Sequence, residues 1–80
     1  MIGKLLSVQP IGADKLRVVW DDQHQATIDL ASILRNYPSV APLKDAAQFA
    51  QVRLSSDGWS VEWPSGVDFG AAQLRQIASL

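Results

Sequence analysis

The chain contains no cysteine and only one histidine, His24. Without cysteine there are no disulfide staples, no thiolate metal ligands and no cysteine nucleophile, and a reducing interior is the natural setting for such a chain. Long apolar runs are missing too: Lys4 is followed only by Leu5 and Leu6 before the polar Ser7, too little for a signal-peptide core or a membrane span. A cytoplasmic location without membrane association is therefore expected. Neither sign of charge dominates. Seven basic and eight acidic residues give a net charge of -1 and are scattered along the chain, whereas a nucleic-acid module gathers its cations into a patch or stripe. Direct nucleic-acid binding is not expected. The five glycines are isolated, so no phosphate-cradling loop is written, and Ser55, Ser56 and Ser60 have neither a nucleophile-elbow context nor a second histidine for a triad.

What is present suits one small core. Eighty residues, 48% of them hydrophobic and 19% charged, make a single domain over residues 1–80 and not a disordered composition. At this size a chain buries only about 60% of its unfolded surface, so stability is marginal.

Periodicity divides the chain into short elements. In "KLLSVQP", Leu6 and Val8 alternate with Ser7 and Gln9 before Pro10 stops the ladder, which predicts a first strand and a turn through "IGADK". "LRVVW" places Leu16, Val18 and Trp20 on one face, because successive strand side chains point to opposite sides. "ATIDL" alternates again, with Ala26, Ile28 and Leu30 on one side, so the two runs form an antiparallel hairpin with the polar tip "DDQHQ". Asp29 is placed to cap a short helix through "LASILRNY", whose apolar side is Ile33, Leu34 and Tyr37 and which Pro38 ends. "PSVAPLKDAAQF" reads as a covering loop with one helical turn from Asp45 to Phe49.

Period two then returns. Val52 and Leu54 face one way, "SSDG" turns, and Trp59, Val61 and Trp63 line one face, giving a second hairpin. Pro64 cannot donate to a ladder and ends that strand, and "WPSG" suits a type I turn with proline second and glycine fourth. Asp68 is placed to cap a final helix, "FGAAQLRQIASL", whose Ala71, Leu74, Ile77 and Ala78 recur at helical spacing. The expected architecture is α+β: a small antiparallel sheet of about five strands in hairpins, covered by a short middle helix and a C-terminal helix. Its expected core is Leu6, Val8, Leu16, Val18, Trp20, Ile28, Leu30, Phe49, Val52, Leu54, Val61, Trp63, Leu74 and Ile77.

Chemistry is sparse. His24 lies in a hairpin tip beside Asp21 and Asp22, but one imidazole and two adjacent carboxylates are fewer than the convergent ligands a zinc site requires. The carboxylates mostly occupy turn or cap positions, where aspartate bonds nearby backbone, and nothing singles out two of them as a glycosidase-like pair. No catalytic residue, metal site or cofactor is expected. Tryptophans can serve as stacking platforms for single-stranded nucleic acid, yet no basic residue interleaves with Trp59 and Trp63, so they read as core, with Trp59, next to the turn, the one expected to be partly exposed.

Read in order, "LRVVW", "ATIDLASIL", "APLKDAAQFAQVRL" and "GWSVEWPSGVDF" resemble a widespread bacterial family of small domains, domain of unknown function 2442. The most specific parts are Pro42 to Leu54 and the constellation Trp63, Pro64, Gly66 and Asp68, which looks like the family's W-P-x-G-x-D signature. This chain departs from the pattern at "DDQHQ", where the family often has an Asp-Gly or Asn-Gly turn, and at Ser65, where it has Asn. The resemblance implies an α+β domain, sometimes joined to a helix-turn-helix segment or encoded beside another small protein, a pattern suggestive of regulatory or toxin-antitoxin-like pairs. It implies no catalytic residues. With no helix-turn-helix after Leu80, any DNA contact is expected to need a partner. The leading expectation is a non-catalytic protein-interaction or regulatory module that binds another protein or itself as a homodimer, with Trp59, Trp63, Pro64, Gly66 and Asp68 as candidate binding residues. The alternatives are a component of a nucleic-acid-binding transcriptional regulator and a small enzyme.

Overall fold

A computed structural model describes residues 3–79. The chain opens with an antiparallel meander, β1 (Leu5–Ile11), β2 (Lys15–Trp20) and β3 (Gln25–Asp29), in which β2 is central. A helical middle follows: α1 (Ala31–Asn36), a 3-10 segment (Pro38–Lys44) and α2 (Ala46–Phe49). A second antiparallel meander, β4 (Arg53–Leu54), β5 (Ser60–Glu62) and β6 (Asp68–Gly70), leads into α3 (Ala71–Ala78). The fold is α+β with antiparallel sheets and a C-terminal helix, as the periodicity predicts, but it has six strands in two sheets rather than about five in one.

Alternation within the strands builds the core. Leu16, Val18 and Trp20 of β2 and Ile28 of β3 are completely buried, while Arg17, Gln25 and Thr27 on the opposite face are exposed. Both sheets and all three helices feed one cluster, to which the middle segment adds Leu34, Val40, Leu43 and Phe49 and α3 adds Leu74. Both buried tryptophans place their indole N–H groups on backbone carbonyls, Trp20 Nε1 on Ala71 (3.1 Å) and Trp63 Nε1 on Phe49 (2.9 Å). A buried indole donor left without a partner would be costly, and neither is. Val8, Val52, Leu54 and Ile77 pack against this cluster half-buried.

Four expectations need correction. Leu6 is 59% exposed and Leu5, at 3%, takes its place in the core. The ladder between β1 and β2 shifts between Leu5 and Ser7, and the extra residue of this bulge turns Leu6 outward. Pro10 does not stop β1, which runs on to Ile11. Trp20 N–H bonds the carbonyl of His24 and Leu30 N–H that of Asp14, so odd-numbered β2 residues turn their backbone groups toward β1 and Pro10 sits where an N–H would point to solvent. Proline costs no ladder bond at such an edge position. Tyr37 belongs to no apolar helix face: it is 58% exposed, extended backbone between α1 and the 3-10 segment.

Asp68 does not cap the last helix. The turn after Trp63 folds the chain back beside β5, so Asp68–Gly70 become β6, with Phe69 opposite Val61 and buried. The helix starts three residues after Asp68, with Gly70 as its N-cap, and Gln73 Oε1 accepts the Gly70 N–H (3.3 Å). Leu80, the last residue of the expected helix, lies outside the described residues. Two other aspartates hold donors at helix starts: Asp29 Oδ1 accepts the Ala31 N–H although the N-cap of α1 is Leu30, and Asp45, the N-cap of α2, accepts the Ala47 N–H, each at 2.9 Å.

The two meanders share a turn design. In each, a buried tryptophan precedes a three-residue loop: Gln23 N–H bonds the Trp20 carbonyl and Trp20 N–H bonds the His24 carbonyl, just as Gly66 N–H bonds the Trp63 carbonyl and Trp63 N–H bonds the Val67 carbonyl. Such a loop is a type I turn closed by a left-handed residue. That residue is Gly66 (φ 96) in one hairpin and Gln23 (φ 71) in the other. The meanders meet where Leu5 N–H bonds the Gly58 carbonyl (2.7 Å), while the neighbouring Lys4 carbonyl accepts the Asp21 N–H (2.8 Å).

Candidate functional site

A groove of about 750 Å³ runs between the helical middle and the second meander. One wall is Ile33 of α1 with Tyr37, Ser39 and Val40 beyond it; the other is the turn Ser65–Gly66 and the adjoining Val67, Asp68 and Phe69. Gln73, Gln76 and Ile77 of α3 close one side. The volume falls in the range of clefts that hold ligands. Its apolar surface is Ile33, Val40, Val67, Phe69 and Ile77, its rim is amide, hydroxyl and phenol, and Asp68 is the one ionisable carboxylate on it.

Local sequence explains each wall. Pro38 confines Tyr37 to extended backbone and starts the 3-10 segment, which leaves the tyrosine ring standing clear of the core. Across the groove, the hydrogen-bonded pairs Trp63–Val67 and Trp59–Ala71 flank Val61–Phe69, which fixes the phase of the β5–β6 ladder. Val61 and Phe69 bond each other, so Asp68 and Gly70 turn their backbone groups away from β5, toward the open edge of β6. Gln73 satisfies Gly70 there. The Asp68 N–H and carbonyl face the groove side with no partner among the described residues.

On the outer face of that sheet Arg53, Glu62 and Asp68 stand in one cross-strand row. Arg53 Nε meets Glu62 Oε1 at 3.3 Å. Asp68 is directly opposite Glu62 and is ion-paired with no cation among the described residues, an arrangement of like charges that disfavours the pairing unless a cation arrives.

The candidate binding residues do not form one surface. Gly66 and Asp68 line the groove. Trp63 lies beneath it, buried between Phe49 (ring centroids 5.9 Å apart) and Phe69 (5.8 Å, edge-on). Pro64 is exposed on the turn but does not line the groove. Trp59 stands at the other end of the hairpin and is 49% exposed, as its position next to a turn predicts. Sequence reasoning missed Tyr37, Val40, Gln73, Gln76 and Ile77. An aromatic immediately before proline was the available signal for Tyr37; the others sit on irregular or amphipathic segments whose orientation depends on tertiary packing.

The polar clusters elsewhere serve loops. Asp22 is held below the ordinary aspartate range, first by the guanidinium of Arg75 (Nη2 to Oδ2, 3.0 Å) and then by the His24 backbone N–H (3.0 Å). Asp57 is lowered by the hydroxyl of Ser55 (2.6 Å) and the backbone N–H of Trp59 (3.0 Å). Ser60 in turn donates its N–H to Ser55 Oγ (3.2 Å), so this serine is committed to its loop. Among the described residues no group of three or more His, Cys, Asp or Glu could hold a metal ion, and no helix is long and apolar enough to cross a membrane.

These features define a class: a small α+β domain of two joined antiparallel meanders with an open groove along one sheet edge. The chain belongs to the family described as Protein of unknown function (DUF2442), whose model matches residues 5–78. No curated protein and no solved structure matches it.

Proposed function

We propose that this domain is a non-catalytic protein-interaction module that recognises a partner through the groove between Tyr37 and β6. The observation that carries the reading is the groove itself, apolar inside and hydrogen-bonding at its rim, beside a strand edge with free backbone groups at Asp68. Apolar anchors within a polar rim are how protein surfaces bind other proteins. The groove brings together no nucleophile with a base and no pair of carboxylates, which are the elements a hydrolytic reading needs. The setting we propose is the cytoplasm of a bacterium, with the domain acting as the regulatory member of a small protein pair of the toxin-antitoxin kind. Balanced charge fits this reading better than a nucleic-acid regulator, which would carry a basic face.

The test is affinity capture from native cells, comparing wild type with Tyr37→Glu, a change at an exposed residue that leaves the core intact. A protein retained by wild type and lost from the variant supports the reading. Salt-dependent retention of DNA with no such protein would favour the regulator, and turnover in a broad substrate screen would favour the enzyme.

A further inference from the structure

We infer that the occupant of the groove is an extended segment of a different protein, added as a strand along β6, with a lysine or arginine opposite Asp68 and an apolar residue on each side of it. This rests on the reading of the groove as an interaction surface and specifies the chemistry of what enters it.

Three observations combine. First, the ladder phase turns the Asp68 N–H and carbonyl outward, and Gly70, the next outward position, already has its N–H on Gln73. An incoming strand therefore has one residue to bond in register, the one facing Asp68, and both of that residue's backbone groups are used. Exposed edges of this kind recruit extended peptides through main-chain bonds, and pockets on one face then set specificity. Second, pleating alternates the side chains of the added strand. The residue opposite Asp68 must point to the same outer face as Asp68, extending the row Arg53, Glu62, Asp68. Its neighbours on either side must point to the inner face, where Val67, Phe69, Ile33, Val40 and Ile77 line the groove. Third, that row reads positive, negative, negative, with Glu62 held by Arg53 and Asp68 held by no cation. A cation at the next position completes the alternation.

The same row argues against a second copy of this chain. Two β6 edges paired about a two-fold axis through their single outward position would set Asp68 against Asp68, and like charges directly opposite destabilise a ladder. A heterologous segment has no such conflict.

The experiment uses the full chain and a blocked synthetic peptide, Thr-Val-Lys-Val-Thr, with Thr-Val-Glu-Val-Thr and a version N-methylated at the lysine as comparisons, titrated by two-dimensional NMR. The lysine peptide is expected to bind saturably, to shift the Asp68 amide and the methyl groups of Ile33, Val40 and Ile77, and to bind about tenfold more tightly than the glutamate peptide, the upper range of a cross-strand charge reversal. N-methylation should abolish binding. Asp68→Lys, at an exposed edge residue, should reverse the preference. Equal affinity for the lysine and glutamate peptides, shifts that avoid Asp68, or no saturable binding of the lysine peptide overturns the inference. If a captured partner still depends on Tyr37 in that event, the groove remains an interaction surface and only the added-strand chemistry falls; if no captured protein depends on Tyr37, the interaction reading itself falls.

Discussion

Arg75 and Asp22, 53 positions apart, form a two-point ion pair with Nη2–Oδ2 at 3.0 Å and Nη1–Oδ1 at 3.4 Å. The guanidinium carbon also lies 4.9 Å above the Trp20 ring, and His24 tilts against the same ring at 5.4 Å. One side chain of the last helix thus ties down the tip of the β2–β3 hairpin and covers its tryptophan, combining a forked ion pair with a cation above an aromatic face.

A pH dependence follows from this pair. The carboxyls of Asp22 and Asp57 are depressed in the folded chain relative to an ordinary value of about 3.9. Each therefore contributes stability that is present above that value and is lost as pH falls through the folded pKa. In Arg75→Ala, the Asp22 carboxyl should move up toward the ordinary range while Asp57 keeps its place, because Asp57 depends on Ser55 and Trp59. Carboxyl titration by NMR separates the two, and acid melts of the variant should show a shallower loss of stability than wild type.

The shared turn design makes opposite predictions for its two left-handed residues. Gln23 at φ 71 carries a strain that glycine does not, and Gln23→Gly should gain on the order of 0.5 kcal/mol, since relief of about 1 to 2 kcal/mol is partly offset by the freer unfolded chain. Gly66→Ala meets no neighbouring atom within 4 Å, so its loss of about 1 kcal/mol should be purely conformational. Urea midpoints that move in the same direction for both would refute the assignment.

Trp63 and Trp59 lie four residues apart and should respond differently. Trp63→Ala removes a ring packed between two phenylalanines and frees the Phe49 carbonyl, a loss of roughly 3 to 5 kcal/mol against a total of about 4 to 12 kcal/mol for this length. Loss of a cooperative urea transition is the expected result. Trp59→Ala should stay within about 0.5 kcal/mol of wild type, since half of its surface is already in water.

Asp68→Ala should leave thermal stability within about 0.5 kcal/mol of wild type, because the residue caps nothing and faces a like charge. Gln73→Ala removes the acceptor for the Gly70 N–H at the start of α3 and should lower stability by up to about 1 kcal/mol. Calorimetry on the two variants distinguishes a helix cap from an edge-strand position.

Much of this fold is legible in the residues, and the failures have local causes. Alternation placed Leu16, Val18, Trp20, Ile28 and Val61 correctly because each lies on a strand with one wet face. It misassigned Leu6 because a bulge adds a residue that no two-residue period contains. It placed Phe69 in a helix because a three-residue strand is too short to display a period, and only its pairing with Val61 reveals it. Only part of the groove is legible in the residues: Gly66 stands out through its turn and Asp68 through a helix cap that it does not make, whereas Tyr37, Gln73 and Ile77 come together only when the helical middle and α3 fold around the second meander.

The contact between Leu5 and Gly58 has a consequence for the order of assembly. Each meander closes through turns between neighbouring strands, so its ladders link residues close in the chain and can form early. The step Lys4–Leu5 is different, since it is fastened on one side to Asp21 and on the other to Gly58. A carbon added at Gly58 would stand 3.2 Å from the Leu5 carbonyl, which leaves little room for a looser seam. As the chain leaves the ribosome, β1 can pair with β2 at once, but the Leu5 N–H must wait for Gly58 to emerge. Within this domain the strand made before the others is therefore among the last to be fully secured.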